Sequence, residues 1–427
     1  MMTITLTGAL VALILAIVLI LRKVPPVYGM LIGAFVGGFV GLIFQTTMDT
    51  ALTTTVSTMM QGAQGIMPAV LRIIAAGVLA GVLIESGAAL IIAETIIRKV
   101  GEAKALLALI LASCILTMSG VFIDVAIITV APIALAIGHK ANLSKMAILL
   151  AMVGGGKAGN IMSPNPNTIA ASDFFHIEMT SLMAAGIIPA IFGLIATYFL
   201  AKWLTKKGSN IHTTDLTTID NTDLPKFLCA ISGPIAAILL LALRPLAKIT
   251  IDPMIALPVG GLVGAIMMGK VKHINHYAIS GLHRMSGVAI MLLGTGTLAG
   301  IIGSSELKTT MVNLINATNL PDYMLAPISG SLMSLATAST TAGTAVASGS
   351  FGEILLSLGI PALASAAMIH AGATTLDHMP HGSFFHATGG AVNMDMKERL
   401  KLIPYETLIG LVLAIVSTLI FGVFAIF

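Results

Sequence analysis

The sequence predicts an all-α polytopic membrane protein with about ten to twelve transmembrane or re-entrant helices. Of 427 residues, 57% are hydrophobic and only 9% are charged, against roughly 25% charged in an ordinary soluble domain. Long apolar runs recur from end to end, as in Leu6 to Leu21, Met30 to Phe44 and Leu408 to Phe427. These runs lack the in–out alternation of barrel strands. Unpaired backbone groups in lipid cost several kcal/mol each, which leaves helices as the spanning element.

The first apolar run is followed by Arg22, Lys23, Val24 and Pro25 rather than by small residues, so it reads as a retained helix and not as a cleaved leader. Cys114 and Cys229 both sit in apolar runs and read as buried small side chains, not as a disulfide framework. The formal charge is +4, with basic residues clustered at helix ends. That pattern fits orientation by the positive-inside rule better than nucleic-acid binding. Arg22, Lys23 and the cluster Lys202, Lys206 and Lys207 favour an outside N-terminus and a cytoplasmic linker, while Arg244 and Lys248 point the other way.

One long polar stretch, residues 203–226, divides the chain into an N-terminal half, 1–202, and a C-terminal half, 227–427. The halves resemble each other. GVLAGVLIES at Gly77 to Ser86 recurs 219 positions later as GTLAGIIGSS at Gly296 to Ser305. The same offset carries Ser119–Pro132 onto Ala338–Phe351, and an offset of 216 carries Ser163-Pro164-Asn165 onto Met379-Pro380-His381. Three features in the same order indicate a duplicated unit, as in secondary transporters whose ligand site lies where the broken helices of two repeats meet. An odd number of crossings in each half makes the repeats inverted.

Interruptions of the apolar pattern locate the candidate site, because freed backbone groups at membrane depth must be buried in protein or line a wet cavity. The first half contains Ser119-Gly120-Val121-Phe122-Ile123-Asp124 and the run Gly154 to Thr168, rich in glycine, proline and asparagine. The latter reads as a re-entrant tip between half-helices, presenting N–H groups to an anion. Asn160, Ser163, Asn165, Asn167 and Thr168 would bind substrate there, together with Ser119. The bland alternative is a proline kink packed by small residues.

In the second half the counterparts are Thr337 to Thr344, with Ser339, Thr340, Thr341 and Thr344 as candidate ligands of substrate or cation, and Asp377 to Gly382. Close helix packing explains the first equally well, and a solvated loop is the alternative for the second. Asp377, His378 and His381 are candidates for ion coupling, since histidine titrates near neutrality and intramembrane ionisable groups are expensive. Asp124 is the first such candidate. Its alternative is a structural pair with Lys157 or Arg72.

The order of these features resembles the gluconate permease family. GVLAGVLIES, the Ser119–Pro132 segment, the MSPNPNTIA run from Met162 to Ala170, and the regions 337–344 and 377–382 carry the resemblance. Family members typically have a His-Pro-Gly-Pro-Thr tip where this chain has Pro164-Asn165-Pro166-Asn167-Thr168. The resemblance implies two inverted repeats with hairpin tips, a scaffold, a moving transport domain and a homodimer. It implies a multi-pass protein of the inner membrane, a proton symporter for a small hydroxy monocarboxylate such as gluconate, with no cofactor and no resident metal. A sodium-coupled carboxylate or dicarboxylate carrier is the nearest rival, since the oxygens of broken helices also suit a hard cation. An intramembrane metal enzyme built on His370, His378, His381 and His386 lacks a compact ligand spacing, and a passive channel explains the duplicated breaks less directly.

Overall fold

The computed structural model describes residues 3–101, 104–216, 224–247, 249–307, 309–310, 313, 321–380 and 382–426. Among these, helices account for nearly all regular structure, and the only β contacts are isolated bridges from Ile4 to Ser305 and from Ser144 to Asn210. Among the described residues five helices are long and apolar enough to cross a membrane, and six shorter apolar helices accompany them.

The N-terminal half runs α1 (Leu6–Leu21), α2 (Pro26–Leu42), α3 (Met48–Gly65), α4 (Met67–Glu85), α5 (Ala88–Val100), α6 (Ala105–Met118), α7 (Ile123–Lys140), α8 (Lys145–Asn160), α9 (Pro166–Phe174), α10 (Met179–Ala185) and α11 (Ile187–Leu204). The C-terminal half runs α12 (Phe227–Ala247), α13 (Pro253–Met267), α14 (Ile274–Gly303), α15 (Leu325–Thr337), α16 (Thr340–Ser357), α17 (Ala362–Ala373), α18 (Ser383–Ala391) and α19 (Met396–Thr418). The last helix leaves through a π turn, Leu419–Val423. Side-chain oxygens start many of these helices: Thr5 accepts Gly8 N–H at 3.3 Å, Ser144 accepts Ala147 N–H at 3.1 Å and Asp395 accepts Glu398 N–H at 2.9 Å. Each satisfies one of the donors that a helix start leaves free.

The same succession occurs twice. α6 and α7 pack against each other as a hairpin, and so do α15 and α16. Each hairpin is followed by a broken segment, α8–α9 or α17–α18. The two parts of the first broken segment share almost no contact, so the break is a discontinuity in one segment rather than a reversal.

The broken segments also cross antiparallel. Lys145 at the start of the first donates to Asn393 O just past the end of the second, at 2.8 Å, and Lys157 near the first break meets Asp377 in the second. Phe174, at the end of the first, packs in one apolar cluster with Leu363 at the start of the second. Head-to-tail passage through a shared middle is the geometry of inverted repeats.

Close approach rests on glycine. A Cβ on Gly155 would lie 2.2 Å from Ile110 O and one on Gly159 would lie 2.2 Å from Cys114 O. The glycines of the run Gly154 to Asn160 therefore belong inside α8, where they let it press against α6. This corrects the expectation of one re-entrant tip from Gly154 to Thr168, because the backbone leaves the helix only between Ile161 and Asn165. Small residues at an interface let helices in lipid maximise packing, which the apolar solvent does not drive.

Part of the polar stretch 203–226 is docked onto the helix ends rather than free. Ser144 Oγ donates to Leu204 O at 2.8 Å, His139 Nδ1 lies 2.8 Å from Ile211 O, and Lys145 donates to Asp215 at 2.8 Å. Burial alone would push the Asp215 carboxyl up, but the Lys145 ammonium and the His212 N–H hold it below the ordinary carboxylate range.

Candidate substrate cavity and buried charge network

A cavity of about 400 Å³ lies between α14 and the tips of the two hairpins, within the usual size of a small-molecule site. Gly120 makes the first tip, with φ of 98°, and Ala338 makes the second in the left-handed region, with φ of 47°. Three helix N-termini border the cavity: Ile123 and Asp124 of α7, Thr340 and Thr341 of α16, and Ser383 and Phe384 of α18. Their partial positive charges favour an anion. Arg284 of α14 contributes a full positive charge to the same wall and also lies 3.5 Å from Glu85.

The cavity wall also carries Asp124 and Asp377. Asp124 lies in the first turn of α7 and accepts Val125 N–H at 2.8 Å. The alternative of pairing with Lys157 or Arg72 is corrected: Lys157 bonds Asp377, and Arg72 bonds Asp173 and Asp252.

Behind Asp377 lies a network closed to solvent. Lys157 and His378 are 0% exposed and Asp377 is 4% exposed, so a solvated loop does not describe this part of the run; His381 lies outside the described residues. The Lys157 ammonium has three protons and three acceptors: Asp377 Oδ1, Thr374 O and His378 Nδ1, the last at 3.1 Å. Complete pairing of this kind is what a buried ion pair needs to offset lost hydration.

His378 Nδ1 lies 3.1 Å from both Lys157 Nζ and Asp377 Oδ1; toward Lys157, which can only donate, it accepts. In the neutral ring the proton is assigned to Nε2, because Ile403 O, 3.1 Å from that nitrogen, can only accept; Thr407 Oγ1 lies 3.0 Å from it as well. Thr340 Oγ1 donates to the second Asp377 oxygen at 2.5 Å, tying the tip of hairpin α15–α16 to the pair. His378 Nδ1 is also 3.9 Å from Glu406 of α19, whose carboxylate binds Arg399 at 2.5 and 3.2 Å. The imidazole thus stands between two buried ion pairs whose charges cancel.

The remaining sequence candidates divide by location. Asn160, Ser339, Thr340 and Thr341 line the cavity. Thr341 donates to Asn167 Oδ1, joining the second hairpin to the start of α9. Asn165 is buried and occupied locally: its Oδ1 accepts Asn167 and Thr168 N–H at 3.0 and 3.1 Å, and its Nδ2 donates to Asn160 O and Oδ1 at 2.7 and 2.6 Å. The expectation that the start of α9 presents these N–H groups to a carboxylate is therefore corrected, because the chain's own asparagine takes them.

Ser119 donates to Leu116 O at 2.7 Å, and Ser163 is 3.5 Å from Asn160 O; neither lines the cavity. Thr168 is buried against Asn165, and the buried Thr344 hydroxyl has no partner among the described residues. Arg284, Glu406 and Arg399 were missed by sequence reasoning. Glu406 and Arg399 carried a signal, as opposite charges two helical turns apart within an apolar helix. Arg284 sits amid polar residues and carried none. Among the described residues no cluster of three or more His, Cys, Asp or Glu is placed to hold a metal ion.

The profile of the GntP family permeases matches residues 3–424. A Haemophilus influenzae protein described as an uncharacterized transporter is 65% identical over 424 residues, covering 99% of this chain and 100% of that one. The Escherichia coli high-affinity gluconate transporter is 23% identical over 380 residues, covering 82% and 84%. In fold, the chain is similar to the Alcanivorax borkumensis YdaH transporter, with a TM-score of 0.66, 14% identity and 98% of both chains covered. The chain is an integral membrane protein and belongs to the GntP family of permeases.

Proposed function

We propose that the protein is a proton symporter for a small hydroxy monocarboxylate of the gluconate type, working by alternating access in the inner membrane as a homodimer. One observation carries this reading: a cavity bordered by three helix N-termini and Arg284 has a carboxylate wall backed by two buried ion pairs, Lys157–Asp377 and Arg399–Glu406.

An anion entering this cavity meets Arg284 and the helix starts favourably, and Asp124 and Asp377 unfavourably. A proton taken up with the anion removes that conflict. Protonation of His378 at Nδ1 would turn that nitrogen from acceptor to donor toward Asp377 Oδ1, 3.1 Å away, leaving one Lys157 N–H without its acceptor and the network with one added positive charge. The loaded carrier then holds one proton per anion. Thr340, Thr341, Ser339 and Asn160 supply hydroxyl and amide groups for the hydroxylated body of the substrate. Substrate and proton need only favour one state over the other for transport to follow.

The distant gluconate-transporter relative supports the substrate class. Sodium in place of the proton is the rival reading, favoured by the partnerless hydroxyl of Thr344 one turn beyond Thr340. Counterflow of labelled gluconate, glycerate and D-serine into proteoliposomes tests the substrate class; exchange of gluconate or glycerate is expected, and failure of all three overturns it. Replacement of sodium by choline at fixed pH is expected to leave exchange unchanged.

A further inference from the structure

We propose that a groove at the linker-side membrane surface, between the end of α11 and the start of α19, binds the phosphodiester headgroup of an anionic phospholipid. The groove has a volume of about 730 Å³ and is lined by Lys207, Ser209, Lys397, Lys401 and Tyr405 among others. It lies where two apolar spans meet the surface, one ending at Leu204 and the other beginning at Met396.

Charge and shape both suit a headgroup. Lys397 and Lys401 are one turn apart on the same face of α19, both exposed, and neither forms an ion pair among the described residues. Two carboxylates share the groove, and both are engaged by the protein: Glu398 accepts Ser209 N–H at 2.8 Å and Ser209 Oγ at 2.6 Å, while Asp395 caps α19. The exposed Lys397 and Lys401 are left without a carboxylate partner among the described residues, and Lys207 sits over the Trp203 ring.

The aromatic groups set the depth. Trp203 is 55% exposed, its ring lies tilted against Tyr405 with the centroids 5.5 Å apart, and Lys207 Nζ stands 3.0 Å from the Trp203 ring centroid. Tryptophan and tyrosine gather at headgroup level, and basic pockets between membrane helices hold anionic headgroups. Free inorganic phosphate has the same anionic chemistry but gains nothing from the aromatic wall or the adjoining lipid-facing spans.

Native mass spectrometry of the full-length protein, released from detergent with phosphatidylglycerol, phosphatidylcholine or inorganic phosphate, tests the assignment. Phosphatidylglycerol is expected to remain bound at least ten-fold more tightly than phosphatidylcholine, with inorganic phosphate not retained. The triple variant Lys207→Gln, Lys397→Gln, Lys401→Gln is expected to lose that preference, and the arginine triple variant to keep it, both with the wild-type elution profile. Equal retention of the two lipids, an unchanged preference in the glutamine variant, or retention of inorganic phosphate in place of the lipid would each overturn it. None of these outcomes depends on the transported substrate or the coupling ion.

Discussion

Lys157 and Asp377 meet in the middle of the molecule from opposite halves of the chain, one in the last turn of α8 and the other just after α17. The pair is buried and lies at the centre of the antiparallel crossing of the two broken segments. It therefore couples packing of the repeats to the electrostatics of the cavity. Replacing either residue alone leaves an uncompensated charge, at a cost of about 3–5 kcal/mol. Lys157→Met and Asp377→Asn are each expected to lower the melting temperature in detergent sharply. The double variant is expected to recover much of the loss without recovering transport. Additive losses in a double-mutant cycle would show that the pair does not act as a unit.

Arg72 ties three helices together through two carboxylates. Arg72 of α4 bonds Asp173 at the end of α9 and lies 2.6 Å from Asp252 at the start of α13. The first contact joins the broken segment to α4, beside a cavity of about 130 Å³ that includes Ser172. If α9 moves relative to α4 during transport, this contact must open. In a background with both native cysteines replaced, Ser172→Cys combined with Arg72→Gln is expected to react several-fold faster with a membrane-impermeant thiol reagent than Ser172→Cys alone. Equal rates would mean that Arg72 closes nothing.

The start of α9 offers a local test. Asn165 caps two N–H groups and anchors Asn160, a cavity residue. Asn165→Ala is expected to cost about 1 kcal/mol from the lost cap and more from the freed Asn160 groups. Asn165→Asp keeps the capping oxygen and loses the donor to Asn160. Its thermal stability should fall less than that of the alanine variant, while substrate affinity falls in both.

The docked part of the linker gives a pH dependence. Asp215 has its carboxyl held below its ordinary value in the folded state, so its contribution is fully present above about pH 4 and is lost as pH falls through the lowered value. The difference in melting temperature between wild type and Asp215→Asn should therefore be constant near neutrality and shrink below about pH 4. A difference independent of pH would remove the Lys145–Asp215 bond from the stability of this region.

Much of the fold was legible because lipid allows so few solutions. Apolar runs became helices, and the offset of 219 between GVLAGVLIES and GTLAGIIGSS recurs as matched hairpins and matched breaks. The site was legible in part. Proline and asparagine at 164–167 marked a break correctly, but the glycines before it served packing against Ile110 and Cys114, a partner no single segment reveals. Asp377 and His378 stood out by their cost at membrane depth. Their pairing with Lys157 did not, because hydropathy says nothing about which lone charges meet across 220 positions. Arg284 was hidden for a simpler reason: a cation near polar neighbours reads like any helix end until α14 is seen to form the cavity wall.

Proton coupling is tested most directly by accumulation of labelled gluconate in proteoliposomes under an inward proton gradient, with the membrane potential clamped and sodium absent. The expected result is accumulation above the equilibrium level that collapses when the gradient is dissipated, with His378→Gln retaining exchange but losing accumulation. Equilibration without accumulation in the wild type, or gradient-driven accumulation unchanged in His378→Gln, would contradict the assignment of coupling to the buried network behind Asp377.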